Sequence, residues 1–247
     1  MLASRSESAP LERYGRNLTL LAQQGAFSPF SGQEAIMDRV FQVLGRKERC
    51  NPVIVDGDET RRWAIVAEVI RRMAVGDVAH SFSTWQVIAL DYEALFANLS
   101  DDMLSRQERK IQIPSSLVEK RTQAEPDLEE AWVFLDDVFR WPSLQEWIAP
   151  TMVLERLQSL FLAMQQEAGS FLFCVDHFHR LLGGEWDRYP IDAAVLLKPV
   201  LARHQIQLIG TSTREHYRES IERDAAMQRR CQEICLPGNW EEGIPGS

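Results

Sequence analysis

Four short apolar runs punctuate the chain: "NPVIV" from Asn51, "WQVIAL" from Trp85, "FLFCV" from Phe171 and "IQLIG" from Ile206. None alternates with polar residues, the pattern of strands covered on both faces. Longer stretches lie between them, such as "RRWAIVAEVIRRMAVGD", whose apolar residues recur every three to four positions as in a helix. Strands alternating with helices predict an α/β fold, a parallel sheet sandwiched by helices. Ligands of such sheets bind at the carboxyl ends of the strands. Attention therefore falls on the loop after Val55, the end of "FLFCVD" and the end of "QLIGTST".

Composition narrows the classes. With 247 residues, 45% hydrophobic and 26% charged, the chain can bury a large core in one large or two small domains. A net charge of -9 argues against a nucleic-acid partner, which needs clustered cations. No apolar run approaches the roughly 18 residues of a membrane span, and the opening "MLASRSESAPLERYGR" lacks a signal-peptide core, so a cytoplasmic protein without membrane contact is expected. The four cysteines are few and irregularly spaced, as where thiols stay reduced. Cys231 and Cys235 could share a helix face, but no second ligand pair accompanies them. In "CVDHFH", Cys174 and Asp176 share a strand face from which His177 should point away. No metal site is expected.

The stretch "VIVDGDETRRWAIV" reads as a buried strand, a tight loop and a helix start, the layout of a phosphate-binding loop. Such a loop, G-x-x-x-x-G-K-[ST], needs glycines so that backbone N–H groups wrap phosphates, a lysine to reach them and a hydroxyl for magnesium. Here the eight positions are Asp56, Gly57, Asp58, Glu59, Thr60, Arg61, Arg62 and Trp63. Arg62 keeps a charge on a planar fork, and Trp63 offers no oxygen. Asp56, Asp58 and Glu59 put carboxylates at a helix N-terminus, whose partial positive charge they satisfy. The loop reads as capped by its own side chains.

The segment "LERYGRNLTLLAQQGAFSPFSGQEAIMDRVFQVLGRKERCNPVIV" resembles the opening of the first ATPase module of Clp-type AAA+ protein unfoldases, and the likeness resumes through "LERLQSLFLAMQQEAGSFLFCVDHFHRLLGG" and "AAVLLKPVLARHQIQLIGTSTREHYRESIERDAAMQRRCQEICL". The resemblance implies an AAA+ large subdomain over 11–236, preceded by an extension at 1–10 and followed by a tail at 237–247. The family's helical lid and amino-terminal domain are not expected. The resemblance places a magnesium-binding aspartate at Asp176 and a water-polarising glutamate where His177 stands. It puts a sensor hydroxyl at Ser212, and an arginine finger that acts on a neighbouring subunit at Arg229 and Arg230. Those two arginines also fit ordinary solvated charges.

The segment at 97–150 departs from the family, which has a short pore loop there. It carries three of the chain's seven tryptophans, and within it "LEEAWVFLDDVFRW" sets Leu128, Ala131, Trp132, Leu135, Val138 and Phe139 on one helical face. That stripe suits either the protein's own core or a partner's groove, with Trp132, Leu135, Phe139 and Trp141 as the partner-binding candidates.

The expected function is a catalytically degenerate AAA+ pseudo-ATPase, a protein-binding or regulatory subunit whose partner is an AAA+ ring subunit or another protein, with no cofactor. The alternative is a divergent ATPase that binds ATP and Mg through Arg62, Asp176 and Ser212. A third reading is a decayed remnant.

Overall fold

A computed structural model of the chain describes residues 9–97 apart from 31, residue 99, and residues 142–166, 170–183, 192–203 and 206–238. Its strands are β1 (Gly15–Asn17), β2 (Asn51–Val55), β3 (Gln86–Leu90), β4 (Phe171–Val175), β5 (Gln207–Ser212) and β6 (Cys231–Cys235), in the order β1-β3-β4-β5-β2-β6. Neighbours run parallel except β1, which pairs antiparallel with β3 at the edge. The four apolar runs are the four inner strands.

Why those runs lack alternation is visible in the packing. Along β2, Val53 and Val55 join a core with Phe173, Val175, Leu208, Leu157 and Leu197, beneath the helices Pro142–Gln166 and Ala194–Ala202. Ile54 points the other way, into a core with Leu172, Cys174, Ile209, Val66 and Val40, beneath the helices Glu34–Leu44 and Glu59–Val75. Both faces of the inner strands are buried, so apolar residues fill both, and the buried polar residues Asn51, Thr211 and Ser212 stand at the strand ends. Burial of each such side chain contributes roughly 1.5–3 kcal/mol.

Two strands depart from the sequence expectation. Residues Cys231–Cys235 form a strand rather than a helix, because they pair in register along the whole of β2, from Asn51 opposite Cys231 to Val55 opposite Cys235. Its polar Gln232 and Glu233 are tolerated because β6 is an edge. The three-residue β1 is too short to carry a pattern, and Gly15 is required there: a Cβ would lie 2.7 Å from Ile88 Cγ2 and 2.8 Å from the Leu11 carbonyl oxygen.

The Glu59–Val75 helix has clear stop signals: Asp58 caps its start, and Gly76, at φ +76°, closes its end by donating to the carbonyls of Arg72 and Met73. The Pro142–Gln166 helix starts within the stretch expected as an insertion at 97–150, so the last part of that stretch runs directly into a helix of the domain. Most of the insertion, with the candidates Trp132, Leu135, Phe139 and Trp141, lies outside the described residues. No described helix is long and apolar enough to cross a membrane.

One ionic network ties the chain entering the sheet to this helix. Glu68, 1% exposed, accepts from Arg71 Nε at 2.7 Å, Arg72 Nε at 2.7 Å and the Phe30 backbone N–H at 3.1 Å. Burial alone would raise the Glu68 carboxyl, but the bonds from Arg71 and Arg72 hold it below the usual carboxylate range. Arg72 also reaches Glu34, Nη2 to Oε1 2.7 Å. Neutralising the carboxylate removes the charge that faces the partly buried guanidinium groups of Arg71 and Arg72. Glu68→Gln is therefore expected to destabilise the fold by about 2–3 kcal/mol in urea titration.

Candidate functional site

Three strand ends meet where the sheet presents its carboxyl edge. After β2 the chain turns through Asp56 and Asp58. The Asp58 N–H donates to Asp56 Oδ1 at 2.7 Å, and Asp58 Oδ1 accepts the N–H groups of Thr60 at 2.8 Å and Arg61 at 3.4 Å. The first free amides of the Glu59–Val75 helix are thus taken by the protein's own carboxylate. Arg61 Nη1 pairs with Asp56 Oδ2 at 3.3 Å, and its Nη2 donates to the Pro237 carbonyl. Gly57 lies in the loop with nothing near where a Cβ would be. Arg62 turns inward: 2% exposed, it donates from Nη1 to the Asp56 carbonyl at 2.7 Å, while its buried Nε finds no hydrogen-bond partner. Trp63 packs against the core on the helix side.

At the end of β4, Asp176 is held from two directions. Its Oδ1 accepts the His177 N–H at 3.0 Å and the Thr211 hydroxyl, and its own carbonyl accepts the Tyr92 hydroxyl at 2.7 Å. His177 does not point away from Asp176, as strand alternation would have it. It adopts φ +46° and ψ 51°, leaving extended geometry, and so brings Nε2 to 3.6 Å from Asp176 Oδ2 and 3.8 Å from Glu59 Oε2. Cys174 stays in the interior, where burial pushes its thiol well above the ordinary range. Beside this group opens a cleft of about 480 Å³ lined by Arg16, Glu59, Trp63, Tyr92 and Asp176 among others.

At the end of β5, Ser212 is fully buried, and its Oγ lies 3.4 Å from His179 Nδ1. His179 stacks on His216, with ring centroids 4.0 Å apart and planes at 18°, and meets His177 edge to face at 5.8 Å. His216 Nδ1 is in turn 2.9 Å from Thr213 Oγ1. Burial, with the neighbouring His216 and His177, lowers His179 from 6.5 to about 4. Sequence reasoning missed Thr211, His179 and His216; the signal available was the spacing of "HFH" and "TSTREH" at two strand ends already marked as ligand-facing.

Arg229 and Arg230 stand at the opposite end of the sheet. They follow the short helix Ala225–Gln228, donate to the carbonyls of Ala225 and Ala226, and lead into β6, where the Arg230 carbonyl accepts from the Asn51 backbone and side chain at 3.2 and 2.8 Å. The length of β2, roughly 16 Å at 3.3 Å per residue, separates them from the Asp56–Asp58 loop. With Lys47, Arg49 and Glu48 they line a cleft of about 550 Å³. They do not serve this chain's own site.

No protein-family model matches the chain. It is 30% identical over 226 residues to "Chaperone protein ClpB 1" of Thermosynechococcus vestitus, covering 92% of this chain and 20% of that protein. It is likewise 30% identical over 235 residues to "Chaperone protein ClpC1, chloroplastic" of Arabidopsis thaliana, covering 95% and 20%. Against the chloroplastic "ATP-dependent Clp protease ATP-binding subunit ClpA homolog CD4B" of Solanum lycopersicum, identity is 31% over 227 residues, covering 92% and 19%. The chain spans about a fifth of the length of these relatives. Among solved structures, a closed-state Hsp104 with ATPγS and FITC-casein matches with TM-score 0.63 at 24% identity, over 92% of this chain and 31% of that one. The Saccharomyces cerevisiae Hsp104–ADP complex matches with TM-score 0.61 at 23% identity, over 92% and 30%; these two likenesses speak to the fold.

The histidine stack makes a pH prediction. Because His179 is lowered in the folded state, the unfolded chain binds the extra proton between about 6.5 and 4, so stability is full above that window and falls as pH drops through it. Thermal melting of the wild type is expected to decline from pH 7 to 5, and that of His179→Gln to decline less; parallel profiles would show that His179 does not titrate this way.

Proposed function

From a chain that is a relative of Clp-type AAA+ chaperones over one module's length, we propose a module that has given up ATP hydrolysis and works as a protein-binding or regulatory subunit, on an AAA+ chaperone assembly. The observation that carries this reading is the Asp58 carboxylate on the Thr60 and Arg61 amides. Phosphate binding at a helix N-terminus uses those same N–H groups. Around them, Asp56 adds a carboxylate held by Arg61, Trp63 has no oxygen for a metal, and His177 replaces a carboxylate beside Asp176. Mg-ATP does not fit this donor set: the anion meets carboxylates, and magnesium, which prefers oxygen ligands in an octahedron, meets an imidazole.

The relatives' names speak of chaperones and of an ATP-binding Clp subunit. A regulatory role in such company asks for a group that acts outward. Arg229 and Arg230 have that placement, at the sheet end remote from this chain's loop and open to a cationic cleft. Seated on a neighbour, they would supply charge to the neighbour's phosphates, the way a finger in trans acts.

One observation favours the alternative, a divergent ATPase. Arg62 is a buried cation with no carboxylate partner among the described residues, its Nε unsatisfied, and a phosphate oxygen would complete it.

Steady-state turnover separates the readings. Alone, the protein is expected to hydrolyse no ATP above background, and turnover abolished by Arg62→Ala would establish the ATPase instead. Mixed with an active Clp-type chaperone, it is expected to change that partner's rate, an effect lost in Arg229→Ala with Arg230→Ala; an unchanged rate would remove the regulatory role.

A further inference from the structure

We propose that Glu59, Asp176 and His177 form a binding site for a divalent transition-metal ion, zinc fitting best, with three protein ligands and no need of a nucleotide. Each residue offers one ligand atom, and the three atoms lie within 4.8 Å of one another. The imidazole Nε2 is 3.6 Å from Asp176 Oδ2 and 3.8 Å from Glu59 Oε2. A tetrahedral ion with bonds of about 2.0–2.2 Å sets its ligand atoms about 3.4 Å apart. The two His177 distances need to close by only a few tenths of an ångström, and Glu59, exposed on the first helical turn, has the freedom to close the rest.

The donor set decides which ion. Magnesium and calcium take oxygen ligands, whereas an imidazole nitrogen beside two carboxylates suits zinc and its first-row neighbours. Asp176 is already oriented for the role. The Thr211 hydroxyl and the His177 N–H hold its Oδ1, leaving Oδ2 on the side of the imidazole, the kind of outer support that ligating carboxylates need. The charge balance points the same way. Among the described residues, neither Glu59 nor Asp176 forms an ion pair with lysine or arginine; the side chain that each meets is the His177 imidazole. Two carboxylates gathered without a fixed counter-charge repel, and a dication between them removes the repulsion. Three protein ligands leave a fourth position, and the cleft of about 480 Å³ that Glu59 and Asp176 line gives water access to it. The inference stands apart from the fate of ATP, since none of its ligands comes from a nucleotide.

The test is zinc titration of the full chain, stripped of metal and without nucleotide, by competition calorimetry, with cobalt as a spectroscopic probe. One zinc per chain is expected at micromolar or lower free metal, unmoved by millimolar magnesium. His177→Asn keeps a residue that accepts left-handed backbone but ligates poorly, and Glu59→Gln changes an exposed side chain; each is expected to weaken zinc at least about tenfold while melting stays near wild type. Bound cobalt is expected to show ligand-field bands without a thiolate charge-transfer band, and Cys235→Ser to leave affinity unchanged. Absence of one-site zinc binding below millimolar metal would overturn the proposal. So would an affinity indifferent to His177→Asn and Glu59→Gln, or one lost with Cys235.

Discussion

The first amides of the Glu59–Val75 helix emerge at the carboxyl end of β2, the strand between β5 and β6, and Asp58 accepts them. That single cap governs much else. It fixes the helix start, worth about 0.5–2 kcal/mol, and it fills the place where a helix dipole and free N–H groups would otherwise draw an anion. With the amides satisfied, Asp56 is free to hold Arg61, and Arg62 is directed beneath the loop against the Asp56 carbonyl.

Around the cap, the polar side chains at the strand ends bond to one another. Asp176, Thr211 and His177 bond to one another, and Ser212 meets His179 rather than solvent. The cost is local: His177 sits in left-handed backbone without being glycine, and His179 is kept neutral by burial. The α/β layering carries this strain because both faces of the inner strands are packed, which holds the three strand ends in register.

Legibility followed the range of the forces involved. The inner strands and the two cores could be read from local apolar runs, because burial on both faces leaves a mark in the sequence. The resemblance to Clp-type proteins could be read from long stretches such as "LTLLAQQG" and "DAAMQRRCQEI". Strand β6 could not, since Cys231–Cys235 owes its conformation to pairing with a strand far away in sequence. Nor could the turn of His177 toward Asp176, which depends on a single positive φ, or the stacking of His179 on His216, brought together by tertiary packing. In the loop, the acidic residues announced a cap, but only the fold assigns it to Asp58, with Asp56 bound to Arg61 and Glu59 facing His177.

The central claim is that the helix amides belong to Asp58 and are withheld from phosphate. Nitrogen-15 NMR of the Thr60 and Arg61 amides, recorded with and without saturating Mg-ATP, reads it directly. The account predicts that both resonances stay where they are. A saturable shift of the two together would contradict it.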